Sequence, residues 1–561
     1  MCAAVPADLL GQRCAPKRNL TWGLHWTSRA EELGQADAQA LMGFLHASDA
    51  LRELYNFTGL TSNVTHGRVL YERAAQGGST FAAMALGFRY GYGIGLRESC
   101  PESAAMYEKA AQSAVSGLDR MRRKTVEQSN PNDADHLQLL SKAMPPKQHM
   151  DVGMVEYMDY CAHIGDVQGK VAMGHLYHSG THDVPEDKRA AQDWFTSAAQ
   201  QGDATGHANL GMMQLRQRRY HSAVRSLRRA TKQPEGSASA WAGLGYAHLY
   251  GAGVPRSDEK GAKAIWNAAR LGHLDSIYNM GVLTLAGRGV KANVQSGFRF
   301  LTVAAEFQHP QAQLHVGHMI RLGLGVRQNC NTAQFFLKHA AEAGPLVRSL
   351  MSTALSAFEQ GRTQRSLMHY LLAAHAGVDS AQHNAAHLYA HAMPAIRKEE
   401  TEHYKRRATQ MFKFAVLQGS VDAQVQLGNL LADAGDYLAA ARLYQEAGRA
   451  GNTDALFHLG MLYWGGNGVK ASAKTAFALW QSSEFTSKHA QLRGLQKPFF
   501  GIARFILEYR AFLLFAGGIG AIVSSGGNPI DVVRNAMRGG GGEEDWADDG
   551  DDGGEDLFGD D

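Results

Sequence analysis

Cysteine is scarce: five occur in 561 residues, Cys2, Cys14, Cys100, Cys161 and Cys330. No two form a C-x-x-C pair, which excludes a zinc ribbon and a thioredoxin-type redox motif. So small and odd a number is no disulfide scaffold, although one or two bridges in an oxidising compartment stay open. Proline is sparse as well, at 14, so the 62 glycines do not belong to a disordered Pro/Gly composition. No strict glycine triplet runs through the chain, which excludes collagen. Charged residues make up 19%, below the ~25% usual in globular chains. The net charge of +3 hides an asymmetry: residues 543–561 hold eleven acids and no base, so the remainder carries +14. That surplus is modest for the length and gives no case for a nucleic-acid partner. H-E-x-x-H, P-loop and G-x-S-x-G motifs are all missing, so none of these signatures points to an enzyme, a metal or a cofactor.

What is abundant is a repeat. Leucine-glycine or a close relative recurs at Leu86-Gly87, Met173-Gly174, Leu210-Gly211, Leu244-Gly245, Met280-Gly281, Val316-Gly317, Leu427-Gly428 and Leu459-Gly460. Between Gly174 and Gly317 the glycines stand 37, 34, 36 and 36 residues apart. A small residue often sits four before the leucine position, as at Ala82, Ala240, Ala312, Ala423 and Ala455. A G-x-G turn often follows, as at Gly251-Ala252-Gly253, Gly287-Arg288-Gly289, Gly323-Leu324-Gly325 and Gly466-Asn467-Gly468. The second half of the unit has a small pair and then glycine, as at Ala268-Ala269 before Gly272 and Ala340-Ala341 before Gly344. An aromatic often lies four before the second small residue, as at Tyr71, Tyr107, Phe195 and Tyr370.

Such spacings put the small and aromatic residues on one helical face. The unit is therefore a helix-turn-helix whose small residues let two antiparallel helices approach closely. One unit cannot bury its apolar face alone, so units must stack. The expected fold is all-α, an α-solenoid of about eleven tetratricopeptide-related units between residues 37 and 483. Units lacking the G-x-G turn, at 203–236 and 420–451, carry Arg219-Tyr220 and Asp436-Tyr437 in its place. The expected organisation is an N-terminal segment 1–36, N-terminal repeats 37–115, a polar linker 116–150, middle repeats 151–344 and C-terminal repeats 345–483. Apolar or amphipathic helices at 484–538 and an acidic tail at 539–561 follow. A second interruption, from Met393 to Tyr404, lengthens one connection.

The pattern A-x-x-x-L-G-x-x-Y-x-x-G-x-G resembles the Sel-one-like repeat family. Residues 82–95 fit it throughout, from Ala82 through Leu86, Gly87, Tyr90 and Gly93 to Gly95. Three stretches narrow the resemblance: Ala85-Leu86-Gly87-Phe88-Arg89-Tyr90 running to Ser99-Cys100, Gly325-Val326-Arg327-Gln328-Asn329-Cys330, and Ala381-Gln382-His383-Asn384-Ala385-Ala386. They resemble the adaptor members of that family, which serve the membrane ubiquitin ligase of endoplasmic-reticulum-associated degradation. The resemblance covers residues 37–523. It implies a luminal scaffold without catalysis, held at the endoplasmic reticulum membrane. Its implied partners are a membrane-embedded RING ubiquitin ligase, a lectin-type substrate receptor and misfolded glycoproteins; a homodimer stays open. The chain departs from those adaptors in three ways. Met1–Leu10 shows no leader, with no basic start and no apolar run of seven, so a leader lies upstream or the protein is not secreted. The apolar segment near the end is short, and the tail is acidic rather than proline-rich.

Three N-x-[ST] sequons, at Asn19, Asn56 and Asn63, crowd the first 65 residues, which favours a secretory lumen and glycosylation there. Residues 499–523 are apolar but interrupted by Arg504, Glu508 and Arg510, leaving Ala511–Val523 as the uncharged run. Its thirteen residues span roughly 20 Å as a helix, against a ~30 Å hydrocarbon core. Ile502, Phe505, Ile506, Tyr509, Phe512 and Leu513 line one stripe. Three readings stay open: an amphipathic helix against the membrane or ligase, a short span completed by partner helices, or a cap on the solenoid. On the first two, Phe505, Tyr509, Phe512, Leu513, Leu514 and Phe515 make the membrane or ligase contact. The tail is expected to be solvated; Trp546, Leu557 and Phe558 within it suit a short partner motif as the alternative.

Three lesser candidates complete the reading. His383, His387 and His391 are spaced i, i+4, i+8, a metal-binding pattern with no further ligand indicated, so surface histidines are expected. Gly91-Tyr92-Gly93-Ile94-Gly95 echoes a dinucleotide loop but follows a helix, so it reads as a repeat turn. Cys100 and Cys330 occupy equivalent turn positions in different repeats; small buried hydrophobes are expected there, with a mutual bridge as the alternative. A soluble cytosolic scaffold built from the same repeats is the competing function. In that case the sequons are chance and residues 499–523 cap the array.

Overall fold

The structure, a computed structural model, describes residues 20–127 and 152–486, except 49, 56–58, 61, 181–183, 234–236 and 397. The first run comprises α1 (Leu20–Glu32), α2 (Ala36–Ala47), α3 (Ala50–Tyr55), α4 (Val64–Gln76), α5 (Thr80–Tyr92) and α6 (Cys100–Glu127). The second opens with α7 (Val152–His163), α8 (Val167–Ser179), α9 (Lys188–Gln200), α10 (Ala204–Arg216), α11 (Tyr220–Thr231), α12 (Ala238–Tyr250) and α13 (Asp258–Arg270). It continues through α14 (Leu274–Ala286), α15 (Val294–Glu306), α16 (Pro310–Leu322), α17 (Cys330–Glu342), α18 (Pro345–Glu359), α19 (Thr363–His375) and α20 (Asp379–His387). A π-helical turn, Leu388–Ala392, leads into α21 (Met393–Ile396). Then come α22 (Thr401–Leu417), α23 (Val421–Asp433), α24 (Tyr437–Arg449), α25 (Thr453–Gly465) and α26 (Ala473–Thr486). The chain divides into two compact units between Ile396 and Arg397. No strand occurs among the described residues.

The pair α14–α15 shows how the sequence builds a unit. Gly281 and Gly297 face each other across it: a Cβ added to Gly297 would lie 2.7 Å from Leu285, and one added to Gly281 would lie 2.9 Å from Leu301. Leu301, Ala304 and Ala312 are fully buried where α14, α15 and α16 meet. The Asn293 side chain accepts the Ser296 N–H at 2.9 Å and so caps the start of α15. The turn after α14 is also clipped to the preceding repeat. Arg288 donates to the Leu249 carbonyl at 2.9 Å and to the Asp258 carboxylate at 3.0 Å, with its guanidinium 5.5 Å from the Tyr250 ring.

The G-x-G turns behave as the spacing predicts. Gly287 ends α14 in the left-handed region at φ 66°, which glycine enters without a Cβ penalty. Gly289, at φ 71°, presses on the previous repeat so closely that a Cβ would lie 2.1 Å from the Asp258 carbonyl. The turn Gly91 to Gly95 has the same geometry, with Gly93 and Gly95 at φ 66° and 68°, so it is a repeat turn. In the units without G-x-G the turn is tighter: Arg218 takes φ 61° before α11, and Asp436 caps α24 by accepting the Ala439 N–H at 3.2 Å. α6 runs on to Glu127 and so carries helix into the stretch read as a linker from residue 116.

Gly289→Ala adds left-handed strain to a backbone collision and is expected to destabilise the first unit by about 2–4 kcal/mol. Gly272, at φ 79°, has open space around it, so Gly272→Ala is expected to cost only about 1 kcal/mol. Chemical unfolding of the two variants side by side measures the difference, and equal losses would remove the close-contact role assigned to Gly289.

Candidate functional site: the seam between α6 and α17

The N-terminal repeats pack back onto α16 to α19 and the π-helical turn, and the closest partners are α6 and α17. These two helices lie side by side and run in the same direction. Cys100 and Cys330, the first residue of each, are disulfide-bonded with Cα atoms 6.0 Å apart. Further along, a Cβ on Gly344 would touch Ala114 at 2.6 Å and one on Gly117 would touch Pro345 at 3.1 Å. Both helices are the second of their repeat, so equivalent surfaces of two repeats meet.

Polar groups line this seam. Glu108 of α6, only 8% exposed at its side chain, receives Arg321 at 2.6 Å and also bonds His318. Lys338 occupies the equivalent position on α17 and binds Glu342 at 2.6 Å. Burial pushes the Lys338 ammonium down, but Glu342, with Asp379 and Tyr92 beyond it, outweighs burial and holds it above the ordinary lysine value. Gln311 donates to Asp119 at 3.1 Å, and the Tyr389 hydroxyl donates to the buried Glu53 carboxylate at 2.7 Å. Burial pushes the Tyr107 phenol far up. Phe44 packs on His375 with ring centres 5.0 Å apart. A seam of this chemistry fixes one register, because a shift would leave buried charges unpaired.

The seam corrects the expectation for two cysteines. Cys100 and Cys330 are bonded to each other rather than buried separately as small hydrophobes. Parallel packing of equivalent helices brings equivalent positions together, and both of those positions hold cysteine.

The Sel1 repeat family matches eight stretches: residues 36–79, 80–114, 168–203, 238–265, 274–306, 310–345, 421–452 and 453–483. This chain is a Sel1-repeat protein. It resembles Protein sel-1 homolog 2 of Mus musculus at 26% identity over 182 residues, 32% of this chain and 25% of that protein. The human protein of the same name is 26% identical over 181 residues, 32% of this chain and 24% of that one. The matched stretch therefore spans about a quarter of the length of these curated relatives. Among solved structures, a protective antigen of uropathogenic Escherichia coli displaying an SLR fold aligns over 87% of this chain and 90% of its own. Its identity is 23% and its TM-score 0.29. Sel1 repeats are protein-interaction modules, so the Sel1 array is a scaffold in class.

Of the expected site residues, Asn63 is described. It is exposed at the start of α4, and its side-chain oxygen accepts the His66 N–H at 2.9 Å. Asn19, Asn56, Phe505, Tyr509, Phe512, Leu513, Leu514 and Phe515 lie outside the described residues, as do Trp546, Leu557 and Phe558. Among the described residues no helix is long and apolar enough to cross a membrane. Nor do three or more His, Cys, Asp or Glu side chains converge there as a metal site. His387 and His391 meet across the π-helical turn with ring centres 4.6 Å apart and planes tilted by 52°, and burial, then His391 and His383, hold His387 below its ordinary value. Sequence reasoning missed Glu108, Lys338, Arg321 and His318. Nothing in a repeat period marks them: Glu108 finds Arg321 and His318 more than 200 positions along the chain, and Lys338 with its neighbour Glu342 reads as an ordinary i, i+4 surface pair until α6 covers it.

Between neighbouring repeats, the first helices are joined by a histidine ladder. Asn209 bonds His175 at 3.1 Å and Arg216 bonds His178 at 3.0 Å, linking α8 to α10. Burial, then Arg216 and His175, push His178 down to about 4.

Removing the bridge with Cys100→Ser is expected to weaken docking of the N-terminal repeats by about 2–4 kcal/mol, since it frees a long loop. Amide hydrogen exchange should quicken in α6 and stay unchanged in α10–α15, and reductant should do the same to the wild type. Unchanged exchange in α6 would show that the seam holds without the bridge. The His178 ladder predicts a pH response. The unfolded chain takes up the proton near 6.5 but the folded protein only near 4, so acidification favours unfolding. Stability should be full above pH ~6.5 and fall towards pH ~4, and His178→Gln should flatten that part of the profile in denaturant midpoints measured against pH.

Proposed function

We propose that this Sel1-repeat protein is the adaptor of the endoplasmic-reticulum-associated degradation ubiquitin-ligase complex. On this reading its repeats are luminal. They recruit misfolded glycoproteins or their lectin-type receptor, and residues 499–523 hold the scaffold to the membrane and the RING ligase. The scaffold itself contributes binding and position, not chemistry.

The pairing of Cys100 with Cys330 carries this reading. Disulfides persist in secretory compartments and are rare in the cytosol, where thiol buffers reduce them. This one joins segments 230 residues apart, so it belongs to the folded array and not to a local turn. The exposed Asn63 sequon adds support, because its side chain stands at the surface at the start of α4. Similarity to Sel-1 homologs gives the same class of scaffold.

Endoglycosidase treatment of the native protein should raise its gel mobility, and a non-reducing gel should run it as a bridged form. An unshifted band with fully reduced cysteines would replace this reading with a cytosolic scaffold. Leu513→Asp or Phe515→Asp should abolish co-purification with the membrane ligase while the repeats melt as before. Retained co-purification would refute the contact assigned to residues 499–523.

A further inference from the structure

The surface charge of the first unit is lopsided in one place. Between Ala204 and Ser257 there are eight arginines and lysines and one acid, Glu235. Much of this falls on α11, whose sequence YHSAVRSLRRAT contains no acid. Its apolar stripe, Ala223, Val224, Leu227 and Ala230, is buried in the stack. Arg225, Arg228 and Arg229 therefore stand on the exposed stripe, with Lys232 just past the helix end. The next second helix, α13, does the same: Ala262, Ile265 and Ala268 are buried, while Lys260, Lys263 and Arg270 are exposed. The two rows converge. His248 on the intervening α12 is held below its ordinary value by burial and, beyond that, by both Arg228 and Lys260.

An apolar foothold lies beside the cations. Trp266 is 41% exposed on the same stripe of α13, between Lys263 and Arg270. Its ring meets Phe300 of α15 edge to face at 5.8 Å, which fixes its position. Among the described residues no acid pairs with Arg225, Arg228, Arg229, Lys263 or Arg270. Like charges crowded in this way repel, so the face gains when an anion covers it.

From this arrangement we infer that the exposed face of α11 and α13 docks an acidic polypeptide segment bearing an aromatic side chain. The arginines would take its carboxylates, and Trp266 with Phe300 would take its ring. The size fits a peptide. α11 is roughly 18 Å long, the reach of five or six extended residues. Arginine forks grip carboxylates in two-point contacts, which a lone lysine row does not. A nucleic acid fits less well: the row holds one exposed tryptophan rather than a stacking series, and Glu259 stands exposed within it. The chain's residues 543–561 have the required chemistry, with eleven acids, no base, and Trp546 and Phe558, and they serve as the probe.

The test is binding of a labelled peptide of residues 543–561 to the full chain by fluorescence anisotropy. Saturable binding is expected, weakened about tenfold or more between 50 and 300 mM salt. Arg225→Glu, Arg228→Glu and Arg229→Glu together should abolish it, and the milder Arg→Gln set should weaken it at least about tenfold. Trp266→Ala should weaken the peptide but not its Trp546→Ala, Phe558→Ala form. Hydrogen exchange in α12 and α14 confirms that each variant is folded. Binding unaffected by the α11 substitutions would overturn the inference. So would equal or tighter binding of a DNA duplex, or of phosphatidylserine vesicles, that is lost with the same variants.

Discussion

Helix axes in this protein can come only as near as the residues between them allow, and at the crossing of most pairs that residue is glycine. Gly281 against Leu301, Gly317 against Leu337 and Gly211 against Leu227 are the same contact in three repeats. Each forbids a Cβ, and each lets one large side chain reach across to fill the gap. The buried alanines Ala268, Ala304 and Ala340 then seat the following helix at the same distance. Because the contact is local, every repeat depends on its neighbours and on little else. The arginine clip from Arg288 to Leu249 and Asp258 and the Gly289 contact with Asp258 extend the rule from one repeat to the next.

The seam obeys different physics. Inside the stack, cohesion is apolar and repeats with the sequence. At α6 and α17 it is a disulfide, a buried carboxylate shared by Arg321 and His318, and a lysine held by Glu342. Apolar packing tolerates sliding by one repeat, because the next repeat offers a similar face. Charged groups do not, since the buried Glu108 carboxylate meets the Arg321 guanidinium and the His318 ring in one position. Polarity at the seam therefore chooses one docking position among several that the repetition would otherwise permit.

This difference explains what the sequence made legible. The leucine-glycine period located the helix pairs, and the G-x-G triplets located the turns, because both are demands made within one unit. The family pattern at 82–95 followed from the same demands. Cys100 and Cys330 sat in plain view at equivalent positions, yet their pairing required that α6 lie parallel to α17. No periodicity encodes that, since a repeat specifies its neighbour and not its distant copy. The basic face of α11 was hidden for another reason. Its arginines are diluted in a chain of net charge +3, and only burial of Ala223, Val224, Leu227 and Ala230 shows that they all point one way.

The bond between the first residues of α6 and α17 also sets a route for mechanical load. A stack of repeats pulled from its two ends carries the force through every unit in turn. Here tension entering from the N-terminal side reaches Cys100 and crosses directly to Cys330. Residues 101–329 are bypassed, so α7 to α16 feel no pull while the bridge is intact. A scaffold gripped at one end and tugged at the other would keep those repeats, and whatever they hold, in register.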